Sequence, residues 1–154
     1  ASAVQATLAQ GGDVVLVDGD DIARRASEAT VGAPIRLGID AVGGAATGRM
    51  AQCLADGGTV VNYGLLSGEP CMMDARETVF RNVSLRGFWL RRWFMETPRE
   101  QVAARYRELV AKLANGTLVV EVEAVYPIRR IKEAVAHAAR AGRSGKILVT
   151  FAQA

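Results

Sequence analysis

The stretch IRLGIDAVGGAATGRMAQCLADGGTVVNYG, residues 35–64, has the pattern of a strand, a helix and a second strand. Residues 35–40 and 59–63 are short apolar runs, and each is followed by a glycine-containing turn. Between them, Met50, Cys53 and Leu54 fall on one helical face, and two glycines at 57–58 end the helix. Because parallel strands need a crossover connection, usually a helix, this stretch predicts a βαβ unit.

The same alternation continues on both sides of this unit. The sequence predicts strands at residues 14–17, 83–88, 119–125 and 146–151. It predicts helices at residues 2–10, from about Ile22 to an end near Gly32 and Pro34, at 75–80, from Pro98 to the stop at Asn115-Gly116, and at 129–141. The strands are continuous apolar runs, as expected where helices cover both faces of a sheet. The pattern therefore predicts an α/β fold with a mostly parallel, doubly wound sheet.

Size and composition exclude several classes of protein. The chain has 154 residues and a net charge of +3, without the Lys/Arg runs that are typical of nucleic-acid binding. No apolar run approaches the roughly 20 residues that a membrane-spanning helix needs. The two cysteines, Cys53 and Cys71, are too few for a disulfide framework. We therefore expect a cytoplasmic protein with neither nucleic-acid nor membrane partners.

Glycine-containing turns follow three of the predicted strands. They are Asp40-Ala-Val-Gly-Gly44, Asn62-Tyr-Gly64 and Arg86-Gly-Phe-Trp89. Ligands of open α/β sheets lie outside the carboxyl ends of the strands, where glycine lets the backbone approach them closely. The three turns together predict a ligand site at this edge, although glycines that only make tight turns remain an alternative.

A phosphate-binding glycine loop of the GxGxxG type is missing from the sequence. Such a loop follows the first strand of a dinucleotide-binding domain and begins its first helix. Because the chain starts with a helix-like stretch, we expect the first two strands and this loop to precede residue 1. The prediction is thus an incomplete Rossmann-type sheet.

Three motifs resemble one family. The run Asp40-Ala-Val-Gly-Gly44, the strand GTVVNYG at residues 58–64 and the run LRGFWL at residues 85–90, followed by Trp93, are similar to the medium-chain dehydrogenase/reductase superfamily. The third motif resembles the branch of trans-2-enoyl-thioester reductases in particular. The resemblance implies that residues 1–117 are the C-terminal part of a dinucleotide-binding domain. It also implies that residues 118–154 return to the catalytic, substrate-binding domain.

The resemblance also implies which residues bind the cofactor, NADPH. The first group borders the cofactor and comprises Tyr63, Gly64, Leu65 and Leu66. The second forms the wall against the nicotinamide end and comprises Phe88, Trp89 and Leu90. Lys146 matches a cofactor-contacting lysine, and Val42 and Gly43 match less specifically. On the residues alone, Phe88 and Trp89 could be core aromatics and Lys146 an ordinary solvated lysine.

No catalytic or metal-binding residue is predicted for this chain. The family's catalytic tyrosine lies in the N-terminal part, and Tyr63, Tyr106 and Tyr126 do not match it. His137 is the single histidine, and the sequence lacks the ligand spacing of a structural zinc site. Arg91 and Arg92 could attract phosphate groups or could form a solvated basic rim.

The activity that the resemblance implies is the reduction of a trans-2-enoyl thioester in fatty-acid metabolism. The acyl group would be carried by CoA or acyl-carrier protein, and the protein would lie in the cytoplasm, or in the mitochondrial matrix of a eukaryote. We also expect a homodimer through the strand at 83–88, with the strand at 14–17 either paired with 35–40 or supplied to a neighbouring chain. Two alternatives remain, a zinc-free reductase of quinones or other conjugated carbonyls, and a truncated, non-catalytic dimerisation or interaction module.

Overall fold

The computed structural model describes residues 3–140 and 142–151, which form two compact units. One unit extends to Met95, and the other begins at Glu96. Ser2 and Ala141, the outermost residues of two predicted helices, lie outside the described residues. No helix in the described part of the chain is long and apolar enough to cross a membrane.

From residue 22 onward, the first unit alternates helices and strands, as predicted. Its elements are α1 (Ala3–Ala9), α2 (Ile22–Ala29), β1 (Leu37–Asp40), α3 (Ala45–Cys53), β2 (Thr59–Asn62), α4 (Ala75–Val79), β3 (Ser84–Gly87) and α5 (Leu90–Glu96), which ends at the boundary of the unit. The sequence analysis did not predict α5. The predicted strands of this sheet extend one or two residues beyond the observed ends, because only residues 37–40, 59–62 and 84–87 pair with a neighbouring strand.

The strands β1, β2 and β3 form a parallel sheet in that order. In its register Asp40 lies beside Asn62, and Asn62 lies beside Gly87. The three glycine-containing turns therefore leave the sheet at the same edge, the carboxyl ends of the strands. This arrangement confirms the predicted parallel α/β fold.

The core of the first unit lies between α3 and the sheet. Ala51 of α3 and Leu54, which directly follows this helix, pack with Val60 of β2 and with Val83, and all four residues are buried. Met50 packs against the same cluster. This confirms the predicted packing of Met50 and Leu54, whereas Cys53, predicted on the same helical face, lies outside this cluster. The opposite face of β1 carries Leu37 and Ile39, each more than half exposed.

The predicted strand at residues 14–17 is wrong. These residues belong to no strand ladder, and β1 pairs only with β2 among the described residues. A strand needs a neighbour for its backbone hydrogen bonds, and no described strand lies beside this apolar run. The predicted pairing of residues 14–17 with 35–40 is therefore also wrong in this structure.

The second unit contains a βαβ unit of its own. Its elements are α6 (Arg99–Ala114), β4 (Val122–Pro127), a 3-10 turn (Ile128–Arg130), α7 (Ile131–Ala138) and β5 (Lys146–Thr150). Strands β4 and β5 are parallel, and α7 packs against both. The fourth strand starts later than predicted because its pairing with β5 begins at Val122. The compact units separate between Met95 and Glu96, whereas the predicted division into domains at residue 117 stays a prediction.

Candidate functional site

A pocket with a volume of about 500 Å³ opens at the carboxyl ends of β2 and β3. Its lining residues are Asn62, Tyr63, Gly64, Leu65, Gly87, Phe88, Trp89 and Arg92. Parallel sheets bind ligands at this edge, and ligand pockets typically measure about 300–1,000 Å³. The pocket is therefore the candidate functional site of the first unit.

The structure brings most of the predicted cofactor-binding residues of the first unit together. Tyr63, Gly64, Leu65, Phe88 and Trp89 all line this pocket. Leu66 and Leu90 adjoin them in the sequence, are exposed and do not line it. Val42 lines a different pocket of about 390 Å³, which lies between β1, α2 and α3. Lys146 is the first residue of β5 and belongs to the second unit.

The aromatic side of the pocket is accessible. Tyr63 is 56% exposed and Trp89 is 58% exposed, so neither is a core aromatic. The guanidinium carbon of Arg91 lies 5.9 Å from the ring centre of Trp89, a cation–π distance. The backbone N–H of Phe88 donates to the carbonyl of Asn62 at 2.8 Å. This hydrogen bond extends the β2–β3 pairing to the aromatic segment and fixes its backbone beside β2.

A buried carboxylate connects the segments around the site. Asp40, at the end of β1, accepts backbone N–H groups of Val42 at 2.8 Å and Gly43 at 3.1 Å with Oδ1. Its Oδ2 accepts the Thr47 hydroxyl at 2.7 Å and Nδ2 of Asn62 at 3.0 Å. One side chain thereby ties the turn after β1, the helix α3 and the end of β2.

The charge of this carboxylate is maintained by its hydrogen bonds. Burial by itself raises the pKa of Asp40, whose side chain is almost completely enclosed. The hydrogen bonds from Thr47, Asn62 and the two backbone N–H groups outweigh burial and hold the pKa below its usual value of 3.8. Asp40 is therefore ionised at neutral pH and acts only as an acceptor.

The turn after β2 lies directly against the turn after β1. A Cβ atom on Gly64 would lie 2.7 Å from the carbonyl oxygen of Ala41, so this position accepts no side chain without a shift. Nδ2 of Asn62 also donates to the carbonyl of Gly64 at 3.0 Å. These contacts fix the backbone of Tyr63 and Gly64 at the pocket wall.

The loop after Gly64 folds back over the first turn. The N–H of Leu66 donates to the carbonyl of Ala41 at 3.1 Å, and the Ser67 hydroxyl donates to the carbonyl of Val42 at 2.7 Å. Leu65 and Leu66 then project outward, with 60% and 81% of their surface exposed. Two apolar side chains are thus presented near the pocket by a loop whose backbone is fixed.

Sequence reasoning missed the residues that organise this site. Asp40, Thr47 and Asn62 were not predicted to have a role, although Asp40 is a carboxylate at the end of an apolar strand and directly before a glycine turn. That position is a usable signal, because buried carboxylates need hydrogen-bond donors and turns supply backbone N–H groups. Arg92 lines the pocket, so it is placed where one of its two predicted roles, attraction of an anionic group, is possible.

Comparison with known proteins identifies the family. The family model described as zinc-binding dehydrogenase matches residues 10–149. The chain belongs to this family. As the sequence motifs predicted, the zinc-binding dehydrogenase match and the relatives together place it in the medium-chain dehydrogenase/reductase superfamily, on the enoyl reductase branch.

Similar proteins of known name are mitochondrial enoyl-[acyl-carrier-protein] reductases. The Dictyostelium discoideum protein is 44% identical over 59 residues, which are 38% of this chain and 17% of that protein. The Arabidopsis thaliana protein is 32% identical over 116 residues, which are 75% of this chain and 31% of that protein. The dehydrogenase chain thus spans less than a third of the length of either relative.

Solved structures show the same fold. A Bacillus thuringiensis protein assigned as an NADPH:quinone reductase has a TM-score of 0.72 and 26% identity, covering 84% of this chain and 40% of its own. The complex of Etr1p with NADP and crotonyl-CoA has a TM-score of 0.71 and 19% identity, covering 86% of this chain and 38% of its own. At 19% identity, the likeness to the Etr1p complex supports the fold alone.

The family name refers to zinc, but the described residues do not fit a zinc site. No group of three or more His, Cys, Asp or Glu side chains is placed to hold a metal ion in the described part of this dehydrogenase chain. Zinc in proteins is held by such ligands, three at catalytic sites and four at structural sites.

Proposed function

We propose that this chain is part of an NADPH-dependent reductase of trans-2-enoyl thioesters in fatty-acid metabolism. The observation that carries the proposal is the pocket in which Tyr63 and Gly64 lie together with Phe88 and Trp89. These residues come from the turns after two neighbouring strands and match the motifs of the enoyl reductase branch. The names of the curated relatives support the same activity.

The pocket residues fit the nicotinamide end of the cofactor. Gly64 packs closely against the carbonyl of Ala41 and fixes one wall of the pocket, and the accessible Phe88 and Trp89 provide aromatic surface for a flat ring. Leu65 adds apolar surface to the pocket. Leu66 and Leu90, which adjoin the lining residues in the sequence, belong to the proposed cofactor-binding set by the family resemblance. The chemistry that bound NADPH supplies is hydride donation to the β-carbon of the conjugated double bond.

The remaining residues of this chain act by positioning. Asp40 ties the turn after β1 to Asn62 at the end of β2, so that the pocket wall at Tyr63 and Gly64 is preorganised before the cofactor binds. Lys146, which the family resemblance implies to be a cofactor-contacting lysine, belongs to the same proposal. We assign the protonation of the α-carbon to no residue of this chain, because none of its tyrosines matches the family's catalytic tyrosine.

Substrate carrier, assembly and location follow from the same proposal. The thioester is carried by CoA or acyl-carrier protein, and the protein is a homodimer through the edge of β3. The location is the cytoplasm, or the mitochondrial matrix if the source is eukaryotic. The relatives' names, which include acyl-carrier protein and mitochondria, support the carrier and the second location.

A second candidate is a zinc-free reductase of quinones or other conjugated carbonyls. The likeness to the Bacillus thuringiensis protein assigned as an NADPH:quinone reductase favours it. The two candidates share the nicotinamide wall and differ in the substrate. Loss of NADPH absorbance, measured for the full-length protein with crotonyl-CoA and with quinones, separates them. Turnover of quinones without turnover of enoyl thioesters would replace the first candidate by the second.

A further inference from the structure

Three polar side chains line the pocket at the carboxyl ends of β2 and β3. They are those of Asn62, Tyr63 and Arg92. Both N–H groups of the Asn62 amide are used within the protein, because Nδ2 donates to Oδ2 of Asp40 and to the carbonyl of Gly64, each at 3.0 Å. Among the described lining residues, the side-chain donors that a ligand meets are therefore the Tyr63 hydroxyl and the Arg92 guanidinium.

Arg92 gives this pocket its charge. It is the one charged residue among the described lining residues, and it is exposed. Residues 86–95, which include the aromatic wall, contain three arginines and neither aspartate nor glutamate. Positive side chains that are clustered at the mouth of a cleft raise the local concentration of anions. The charge of the pocket therefore favours a ligand that carries a negative group.

The two consecutive arginines of α5 differ in what they contact. The guanidinium of Arg91 lies over the ring of Trp89, with 5.9 Å between the guanidinium carbon and the ring centre. Arg91 is not among the described lining residues of the pocket. Successive residues of a helix point about 100° apart, and the next residue, Arg92, does line the pocket. Arg92 is thus the arginine that a ligand in the pocket meets.

An arginine beside an aromatic wall fits a ligand that combines a flat or apolar group with a phosphate. The planar guanidinium donates two parallel hydrogen bonds to phosphate oxygens, and it stays charged at physiological pH. Phe88 and Trp89 offer accessible aromatic surface for the other part of the ligand. Both ligands of the proposed reaction, NADPH and a thioester of CoA or acyl-carrier protein, carry phosphate esters.

We propose that Arg92 recognises a phosphate ester at this pocket and determines its preference for ligands that carry one. This inference rests on the proposed function, which places the nicotinamide end of NADPH in the same pocket. The phosphate belongs either to the cofactor or to the carrier of the acyl group. Arg92 acts in binding and not in hydride transfer, because a phosphate ester is not the group that reacts.

The variant Arg92→Gln of the full-length protein tests the proposal. Loss of a charge-assisted hydrogen bond should weaken binding of the phosphate-bearing ligand about tenfold. The readouts are the Kd for NADPH from fluorescence titration and the KM for two substrates, crotonyl-CoA and the crotonyl thioester of N-acetylcysteamine, which has no phosphate. The kcat at saturation should stay within about twofold, because the lost contact is not made to the reacting atoms.

The three readouts identify the source of the phosphate. If the phosphate belongs to the carrier, Arg92→Gln should raise the KM for crotonyl-CoA about tenfold. The KM for the phosphate-free thioester and the Kd for NADPH should then stay unchanged. If the phosphate belongs to the cofactor, the Kd for NADPH should rise about tenfold, and both thioesters should keep their KM at saturating NADPH. Either result supports the site.

Two further variants separate phosphate recognition from a general effect of charge. Arg92→Lys keeps the charge without the planar guanidinium, so it should recover part of the affinity that Arg92→Gln loses. Arg36→Gln removes the same charge from an exposed residue directly before β1, at the amino-terminal edge of the same sheet. It should leave all three readouts unchanged. If Arg92→Gln does not fold, Arg92→Met, which is also uncharged, takes its place.

The pattern of changes decides the outcome. Unchanged affinities in Arg92→Gln, or equal changes in Arg92→Gln and Arg36→Gln, would overturn the inference. A tenfold rise in the KM for the phosphate-free thioester would also overturn it, because Arg92 would then recognise another group. If enoyl thioesters are reduced and Arg92→Gln behaves as the parent, the proposed function stands and the inference fails. If Arg92→Gln weakens NADPH binding but enoyl thioesters are not reduced, the proposed activity fails and the phosphate site stands.

Discussion

Nδ2 of Asn62 donates to Oδ2 of Asp40 and to the carbonyl oxygen of Gly64, at 3.0 Å in both cases. The first hydrogen bond crosses from β2 to β1, and the second stays within the turn that forms the pocket wall. The geometry of the candidate site is therefore coupled to a buried carboxylate that does not itself line the pocket. Changes at Asp40 should affect both folding and the site.

Replacement of Asp40 by asparagine should lower the free energy of unfolding by about 1–3 kcal/mol, the cost of leaving buried groups unsatisfied. The side-chain NH₂ of asparagine would replace one carboxylate oxygen and would face a group that now donates a hydrogen bond to Asp40. Denaturant unfolding followed by circular dichroism measures the change. Asp13→Asn, at an exposed position, is the control and should stay within about 0.5 kcal/mol of the parent.

The effect of Asp40→Asn should depend on pH. Because the pKa of Asp40 is lower in the folded chain than its usual 3.8, its stabilisation is present above pH 3.8. It is lost as the pH falls through the folded pKa. The difference in unfolding free energy between parent and variant should therefore shrink below that pH. A constant difference across the acid range would contradict the role of the Asp40 charge.

Trp89→Ala should raise the KM for NADPH of the full-length protein about three- to tenfold, because it removes a face against which the nicotinamide stacks. Steady-state kinetics with variable NADPH measure this change. Trp93→Ala is the matched control, since Trp93 contacts Phe94 and does not line the pocket. An unchanged KM for NADPH in a folded Trp89→Ala protein would contradict the stacking of the nicotinamide ring on Trp89.

The 154-residue chain by itself should bind NADPH weakly or not at all. Its sequence has no GxGxxG loop, and the backbone N–H groups of such a loop hold the pyrophosphate. Calorimetric titration of the isolated chain tests this expectation. A micromolar Kd would show that the pocket at β2 and β3 suffices for binding.

The edge of β3 should support a homodimer. Leu85 lies on this edge strand, pairs with Val60 on one side and is 38% exposed. A charge at an edge strand opposes further pairing, so Leu85→Asp should convert a dimer to a monomer. Light scattering at several concentrations measures the mass, with Val135→Asp on an exposed position of α7 as the control. A monomer in both the parent and the variants would show that this edge is not used.

The sequence predicted the parts of the fold that depend on local periodicity. The βαβ unit at residues 35–64 formed as expected because helical spacing, glycine stops and apolar strands all agree there. The run at 14–17 has the same apolar character and formed no strand, since pairing depends on a neighbour that composition does not reveal. The helix α5 was missed because its arginines and aromatics show no clear apolar face.

The site was predictable where it follows from motifs and not where it follows from distant contacts. Tyr63, Gly64, Leu65, Phe88 and Trp89 were predicted from two motifs, and the parallel register places them in one pocket. The network at Asp40 joins four positions by side-chain geometry, which no spacing in the sequence encodes. The contribution of Lys146 stays a prediction, as do those of Leu66 and Leu90.

The central claim is hydride transfer to an enoyl thioester, and isotope transfer tests it most directly. The full-length protein would be incubated with crotonyl-CoA and NADPH that carries deuterium at the transferable nicotinamide C4 position, without added metal. Mass spectrometry and NMR of the product should show butyryl-CoA with one deuterium at the β-carbon. Product without deuterium, or NADPH oxidation by quinones with crotonyl-CoA left unchanged, would contradict the account.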